Sequence, residues 1–230
     1  MKENRSAFLI LWGKRLLVYL VGLFCMAIGV VFSAHSALGV SPVGSLANVL
    51  YQIAKDQGLT AINLGNCTIA TYCLYIFVEF LILRRDFKPQ MLLQLVASFL
   101  FGWLVNAASA LFSFLPEPGS YPIQMLYLLA SIPMVAVGVM LYLSPNILPT
   151  PGEGMSLAIS KKTGLSMGSS KTVFDCSMVV LSALTSLIYF HALIGVREGT
   201  VICALLVGFV MKRLQSVFQK PLLRFVERET

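Results

Sequence analysis

Residues 29–42 read GVVFSAHSALGVSP, and residues 138–151 read GVMLYLSPNILPTP. Each stretch opens on Gly-Val and closes on a hydroxyl residue followed by proline. Gly29-Val30 and Ser41-Pro42 thus match Gly138-Val139 and Thr150-Pro151 at one offset (138 − 29 = 151 − 42 = 109). The same offset carries Ala27 onto Ala136, Asn66 onto Asp175, Cys67 onto Cys176 and Thr68 onto Ser177. A slightly shorter one (164 − 58 = 106) carries Gly58-Leu59-Thr60 onto Gly164-Leu165-Ser166. The chain states one plan twice. In an apolar chain such internal symmetry marks transporter folds, whose binding sites lie between the repeats.

The surroundings of the two stretches are apolar. With 57% hydrophobic and 12% charged residues and a mean hydropathy of +0.83, the chain has too little polar surface to cover a soluble globule. Its formal charge of +7 does not point to nucleic acid, because the basic residues sit in short loops and tails beside apolar runs. The five cysteines, Cys25, Cys67, Cys73, Cys176 and Cys203, all lie inside apolar segments without Cys-x-x-Cys spacing. They read as small core residues rather than as a disulfide framework or zinc site.

Six runs have spanning length, about 20 residues for a bilayer core: Leu16–Ala37, Ala61–Leu83, Met91–Leu115, Pro122–Leu143, Thr172–Ala192 and Gly199–Phe218. The first is preceded by Lys2, Arg5, Lys14 and Arg15, as a signal peptide would be, but it is too long for a signal core and is mirrored in the second half. Between the first and second spans, and again between the fourth and fifth, lie segments too short to cross, Val43 to Asp56 and Gly152 to Lys162. The expectation is an all-α integral membrane fold of six transmembrane helices, with a short re-entrant or interfacial helix after the first span of each half. It forms one membrane domain over residues 1–230: a first repeat at about 14–115, a second at about 122–218 and a basic tail at 219–230.

Loop charge sets the orientation. The N-terminus, the loop Arg84-Arg85-Asp86-Phe87-Lys88, the region of Lys161, Lys162 and Lys171, and the tail with Lys212, Arg213, Lys220, Arg224 and Arg228 fall on one side if six segments span. That side is the cytoplasm, with both termini in it. Three spans per half is an odd number, so the halves lie upside down relative to each other, an inverted repeat.

The short segments carry the chemistry. Ser41-Pro42 and Thr150-Pro151 are residue types suited to a helix N-cap and first turn, and Glu153 completes a Thr-x-x-Glu capping box. Gly58 and Gly164 stop the two helices, and Thr60 and Ser166 read as the caps of the helices that follow. Two half-helix N-termini converging at depth form an electropositive site that favours an anion, a carboxylate or a polar group. Ser41, Pro42, Gly44, Thr150, Pro151, Gly152, Glu153 and Gly154 are the expected binding residues. The alternative is that both segments lie on the membrane surface as amphipathic linkers.

Ionisable and polar residues in or beside spans are further candidates. Asp175 and Lys171, one turn apart, line the mouth of a pathway or form an interfacial ion pair; Asn66 is the first-half counterpart of Asp175, and His35 ends the first span. Glu79 lies one to two turns from Arg84 and Arg85 and reads as a snorkelling partner of theirs. Gly22 and Gly29 offer a close-packing face for a homodimer. There is no Gly-x-x-x-x-Gly-Lys-Ser/Thr loop and no metal-ligand spacing of His, Cys or carboxylates, so neither ATP hydrolysis nor a cofactor or metal is expected, and the chain does not read as an enzyme.

The run Ala37-Leu38-Gly39-Val40-Ser41-Pro42 and the second-half Pro149-Thr150-Pro151-Gly152-Glu153-Gly154 resemble the YczE-like group of bacterial membrane proteins, related to the YitT and YyaS proteins. The resemblance implies a six-span core in the bacterial cytoplasmic membrane, and no settled substrate. Together these features lead to the expectation of a secondary transporter, or a substrate-binding membrane subunit, for a small polar or anionic solute. The other reading is a membrane scaffold or regulator that acts through its basic tail.

Overall fold

The computed structural model describes residues 2–227, with side chains from 10 to 225. It is a bundle of eight helices: α1 (Lys2–His35), α2 (Pro42–Asp56), α3 (Leu64–Leu83), α4 (Gln94–Leu111), α5 (Tyr121–Leu143), α6 (Pro151–Thr163), α7 (Met167–Phe190) and α8 (Glu198–Glu227). Two 3-10 turns, Arg84–Asp86 and Pro89–Leu93, join α3 to α4. Six of the helices are long and apolar enough to cross a membrane, and α2 and α6 are not among them. In each half the order is one long helix, one short one and two long ones.

The boundaries depart from the sequence expectation in physical ways. The first span ends at His35 rather than Ala37, where Ala37 turns to positive φ, and the fifth begins at Met167 because Ser166 caps it. The tail expected from 219 continues α8 through Pro221 to Glu227, as helix formers such as Lys220, Leu222 and Arg224 allow, while Arg228 lies outside the described residues, as do the side chains of Lys2 and Arg5. Asn63, not Thr60, caps α3, its side chain accepting from the Asn66 amide at 3.0 Å.

α1 and α5 form the central crossing. Val18, Leu23 and Ala27 of α1 and Ala136, Met140 and Tyr142 of α5 are buried, and the two helices run antiparallel because Gly22 meets Tyr142 while Gly29 meets Ser131. That intramolecular contact consumes the glycine face, so Gly22 and Gly29 are not available to a second copy. Around this pair, α4 packs on α1 and α8 on α5, α2 packs on α3 and α6 on α7, and α2 also packs on α7 as α6 does on α3. One contact lacks its counterpart: α3 packs on α4, with no comparable contact between α7 and α8 among the described residues. Accordingly α7 and α8 are the least buried spans, at 17% and 6% of their windows against 39–44% for the other four.

The short helices sit inside the bundle. α2 buries Pro42, Ser45, Asn48 and Val49, and α6 buries Pro151, Gly152, Met155 and Ser156. Their first turns meet where Val43 lies against Gly152, 2.9 Å from where a Cβ would stand, and these two positions are again related by 152 − 43 = 109. From that junction they diverge along α7. α6 ends beside the start of α7, whereas Ser45 of α2 bonds Ser182 (2.7 Å) and Asp56 accepts from the Tyr189 hydroxyl (3.2 Å) near its far end. The irregular stretch before α2 is buried as well, Leu38 and Val40 being 0% and 1% exposed. The first turn of α8 and the loop before it pin this stretch, with Gly199 N–H donating to Leu38 O at 2.9 Å and Gly39 bridging Val196. Non-helical backbone enclosed by protein in this way is compatible with membrane depth.

Candidate functional site

A cavity of about 250 Å³ opens beside the junction of α2 and α6. Ser41, Pro42 and Gly44 line it from the start of α2, Thr150 and Glu153 from the start of α6, and Lys171 and Asp175 from α7. The rest of the wall is largely apolar, with Met26 and Val30 of α1, Tyr72 of α3, Phe101 of α4, Val135 and Val139 of α5 and Val207 of α8. Tyr72 and Phe101 stack in parallel, their ring centroids 5.7 Å apart at 9°. All eight helices meet here.

The N-termini are built differently from the capping box expected. Proline at the first position has no N–H to satisfy, and the Gly44 and Glu153 amides bond the Ser41 and Thr150 carbonyls at 2.9 and 3.0 Å. Neither hydroxyl caps the backbone. Thr150 instead donates its hydroxyl to the Glu153 carboxylate, with the Tyr142 hydroxyl 3.5 Å from Thr150 Oγ1. The carboxylate is thereby held on the cavity side of α6 by neutral hydroxyl donors, Tyr142 acting on it beside Thr150.

The polar balance of the cavity is uneven. Lys171 Nζ lies 3.5 Å from Asp175 Oδ2, so the one lysine on the wall is engaged by one of its two carboxylates, and Glu153 has no cationic partner among the described residues. Asp175 Oδ1 is buried without a hydrogen bond. Asn48, also on the wall and 2% exposed, donates Nδ2 to Gly195 O at 3.1 Å; because a carbonyl accepts there, the amide orientation is fixed and Oδ1 is left without a donor.

The remaining candidates lie elsewhere. Gly152 faces Val43, and Gly154 faces Gln94 and Glu79. Pro151 is buried, away from the cavity wall. His35 is tied to the loop before α5, its Nε2 2.9 Å from Pro116 O and its ring edge-on to Tyr127 at 5.0 Å. Asn66 is exposed and joins α3 to α4, accepting from Asn106 Nδ2 at 3.3 Å, while Asn106 Oδ1 accepts from the Gly65 amide. Glu79 is no snorkelling partner of Arg84 or Arg85. It is 0% exposed and accepts from Gln94 Nε2 at 3.1 Å, because α4 returns across it before any arginine can. Asn48, Tyr72 and Phe101 were not singled out by sequence; a lone amide amid Leu46, Ala47, Val49 and Leu50 was the available signal.

Six apolar helices enclosing two short ones define a multi-pass membrane-helical protein. The chain belongs to the DUF6198 family, a family of unknown function, which it matches over residues 13–216. The match does not itself carry the YczE-like relation. No curated protein and no solved structure matches the chain.

Proposed function

We propose that the protein is a secondary transporter that binds a small solute in the cavity between the first turns of α2 and α6, and that its halves form an inverted repeat with α2 and α6 re-entrant. The repeat is supported by the antiparallel α1–α5 crossing, by the crosswise packing of α2 on α7 and α6 on α3, and by the contact of the equivalent positions Val43 and Gly152. Half-helices that meet head to head beside a cavity are the arrangement of transporter binding sites.

Of the polar and anionic solutes expected from two helix N-termini, the reading favours a polar one that donates hydrogen bonds, and best a small amphipathic amine. One observation carries this: Glu153, Asp175 and Asn48 line one cavity, Asp175 Oδ1 and Asn48 Oδ1 being buried acceptors without a donor, with a single lysine among them already paired. Stacked Tyr72 and Phe101 add aromatic surface to the same cavity, which suits the apolar part of such a solute and attracts a cation. Uptake of a labelled series of primary and secondary alkyl- and aralkylamines into proteoliposomes tests it. Uptake by the wild type that is lost in Glu153→Gln is expected; absence of uptake across the series, with uptake of organic anions instead, would overturn the solute class.

A second reading, a scaffold or regulator acting through its basic end, is supported by the exposure of Lys212, Arg213, Lys220 and Arg224 along α8. Truncation after Arg213 separates the readings, since it leaves every residue of the cavity in place. The protein's location in the bacterial cytoplasmic membrane, with cytoplasmic termini, and any homodimer belong to the same proposal.

A further inference from the structure

Glu79 is the one charged residue buried among the described side chains, at 0% exposure. It stands four residues before the last residue of α3, about 6 Å along the axis from the helix end. Its Oε2 accepts from Gln94 Nε2 at 3.1 Å, whereas its Oε1 and the Oε1 of Gln94 are both buried without a partner. No counter-ion reaches it. α4 has no charged residue from Gln94 to Leu111, and Arg84, Arg85 and Asp86 are exposed beyond the helix end. α2 carries Lys55 and Asp56 at its opposite end, and α6 carries Glu153 on the cavity side and the exposed Lys161 and Lys162. Lys161 acts on Glu79 through space but forms no ion pair with it.

A carboxylate so enclosed, with one neutral donor and no cation, is far costlier than the neutral acid. A proton on Glu79 Oε1 also turns one of two orphaned oxygens into a donor, with the other, Gln94 Oε1, as an acceptor in the same cluster. The cluster lies directly behind the first turn of α6: a Cβ at Gly154 would fall nearest Gln94 Oε1 and 2.9 Å from both Gln94 Nε2 and Glu79 Oε2, so a larger residue there would have to displace the two side chains. The preceding residue on that turn is Glu153, which faces the cavity.

We propose that Glu79 and Gln94 form a proton-binding site behind the first turn of α6, and that the bound proton holds α6 where it completes the cavity. Loading takes one proton from hydronium and leaves a neutral acid and a water molecule; release hands the proton back to a water as hydronium and leaves a carboxylate, which draws in water and parts α6 from α3 and α4. The link to solute rests on the transporter reading, whereas the proton site stands without it.

The test is infrared spectroscopy of the purified protein near neutral pH, reading the C=O band of a carboxylic acid, together with the pH dependence of amine binding. The expected result is an acid band in the wild type that is shifted in Glu79→Asp, absent in Glu79→Gln and retained in Glu153→Gln, with amine affinity falling at least tenfold as that band is titrated away. A wild type without the band, or a band that survives Glu79→Gln, overturns the proton site. Should Glu79→Gln fail to fold, the wild-type spectrum and Glu79→Asp still decide. Replacement of the band by a sodium-dependent stabilisation overturns it in favour of a metal cation. A band assigned to Glu79 with amine affinity independent of its titration overturns the coupling to α6. No amine binding in any variant, with the band intact, sinks the transporter reading and leaves the proton site standing.

Discussion

Gly22 and Gly138 meet back to back across the α1–α5 crossing: a Cβ at Gly22 would stand 2.9 Å from the Gly138 carbonyl oxygen, and one at Gly138 2.8 Å from that of Gly22. One turn of the repeat away, a Cβ at Gly29 would stand 3.0 Å from the Ser131 carbonyl oxygen. These are two images of a single contact, since adding 109 to 22 and 29 gives 131 and 138. This is the pairing that the proposed inverted repeat requires of the seam around which the bundle is built.

Gly22→Val and Gly138→Val are expected to destabilise the protein by about 1–3 kcal/mol each, because the added carbons meet backbone that cannot swing away. Gly13→Ala, where nothing lies within 4 Å, is expected to be neutral or slightly stabilising. Thermal unfolding in detergent checks all three, and an unchanged midpoint in both valine variants would contradict the crossing.

Ser45 and Ser182 share a 2.7 Å hydrogen bond that ties α2 to α7. A double-mutant cycle of Ser45→Ala and Ser182→Ala should give a coupling of about 0.6 kcal/mol, the size usual for side-chain bonds between helices in a bilayer. Strict additivity would mean that the bond contributes nothing to holding α2 in place.

Tyr75 reaches from α3 to donate its hydroxyl to the Val43 carbonyl at 2.8 Å, in the first turn of α2. Tyr75→Phe removes this second bond from a carbonyl that also accepts within the helix, at a cost of about 0.5–1.5 kcal/mol. Solute affinity should fall along with stability, and a variant that loses stability alone would separate the α2 turn from the binding site.

Gly44 lines the cavity and has room for a side chain, since an added Cβ would come no nearer than 3.6 Å to Val40. In a cysteine-free background Gly44→Cys should therefore fold, react with a water-soluble thiol reagent, and be protected by bound solute. Reaction unaffected by any solute would detach the cavity from binding.

The sequence was legible where backbone chemistry leaves a mark. The paired Ser-Pro and Thr-Pro signatures locate the starts of α2 and α6, and Gly58 and Gly164 locate their ends at positive φ. Which face of a span turns inward is far less legible, because lipid and protein core select the same apolar residues; hence Tyr72 and Phe101 had no sequence signal. Glu79 was misread because Arg84 and Arg85 are its neighbours in the chain, whereas Gln94, fifteen residues on, is its neighbour in space. Thr150 and Glu153 stand in capping-box spacing yet bond each other, the Thr150 carbonyl already serving the Glu153 amide that the hydroxyl would have capped.

The central claim is that Glu153 and its neighbours bind a donor-bearing solute between α2 and α6. Its most direct test is the thermal stabilisation of the purified protein by the amine series, wild type against Glu153→Gln. An amine at a hundred times its dissociation constant should stabilise the wild type by about 2.7 kcal/mol. Loss of a charged acceptor worth about 1.5–3 kcal/mol should weaken its affinity in the variant by roughly ten- to a hundredfold. Equal stabilisation of both proteins, or stabilisation of the wild type by anions alone, would contradict the account.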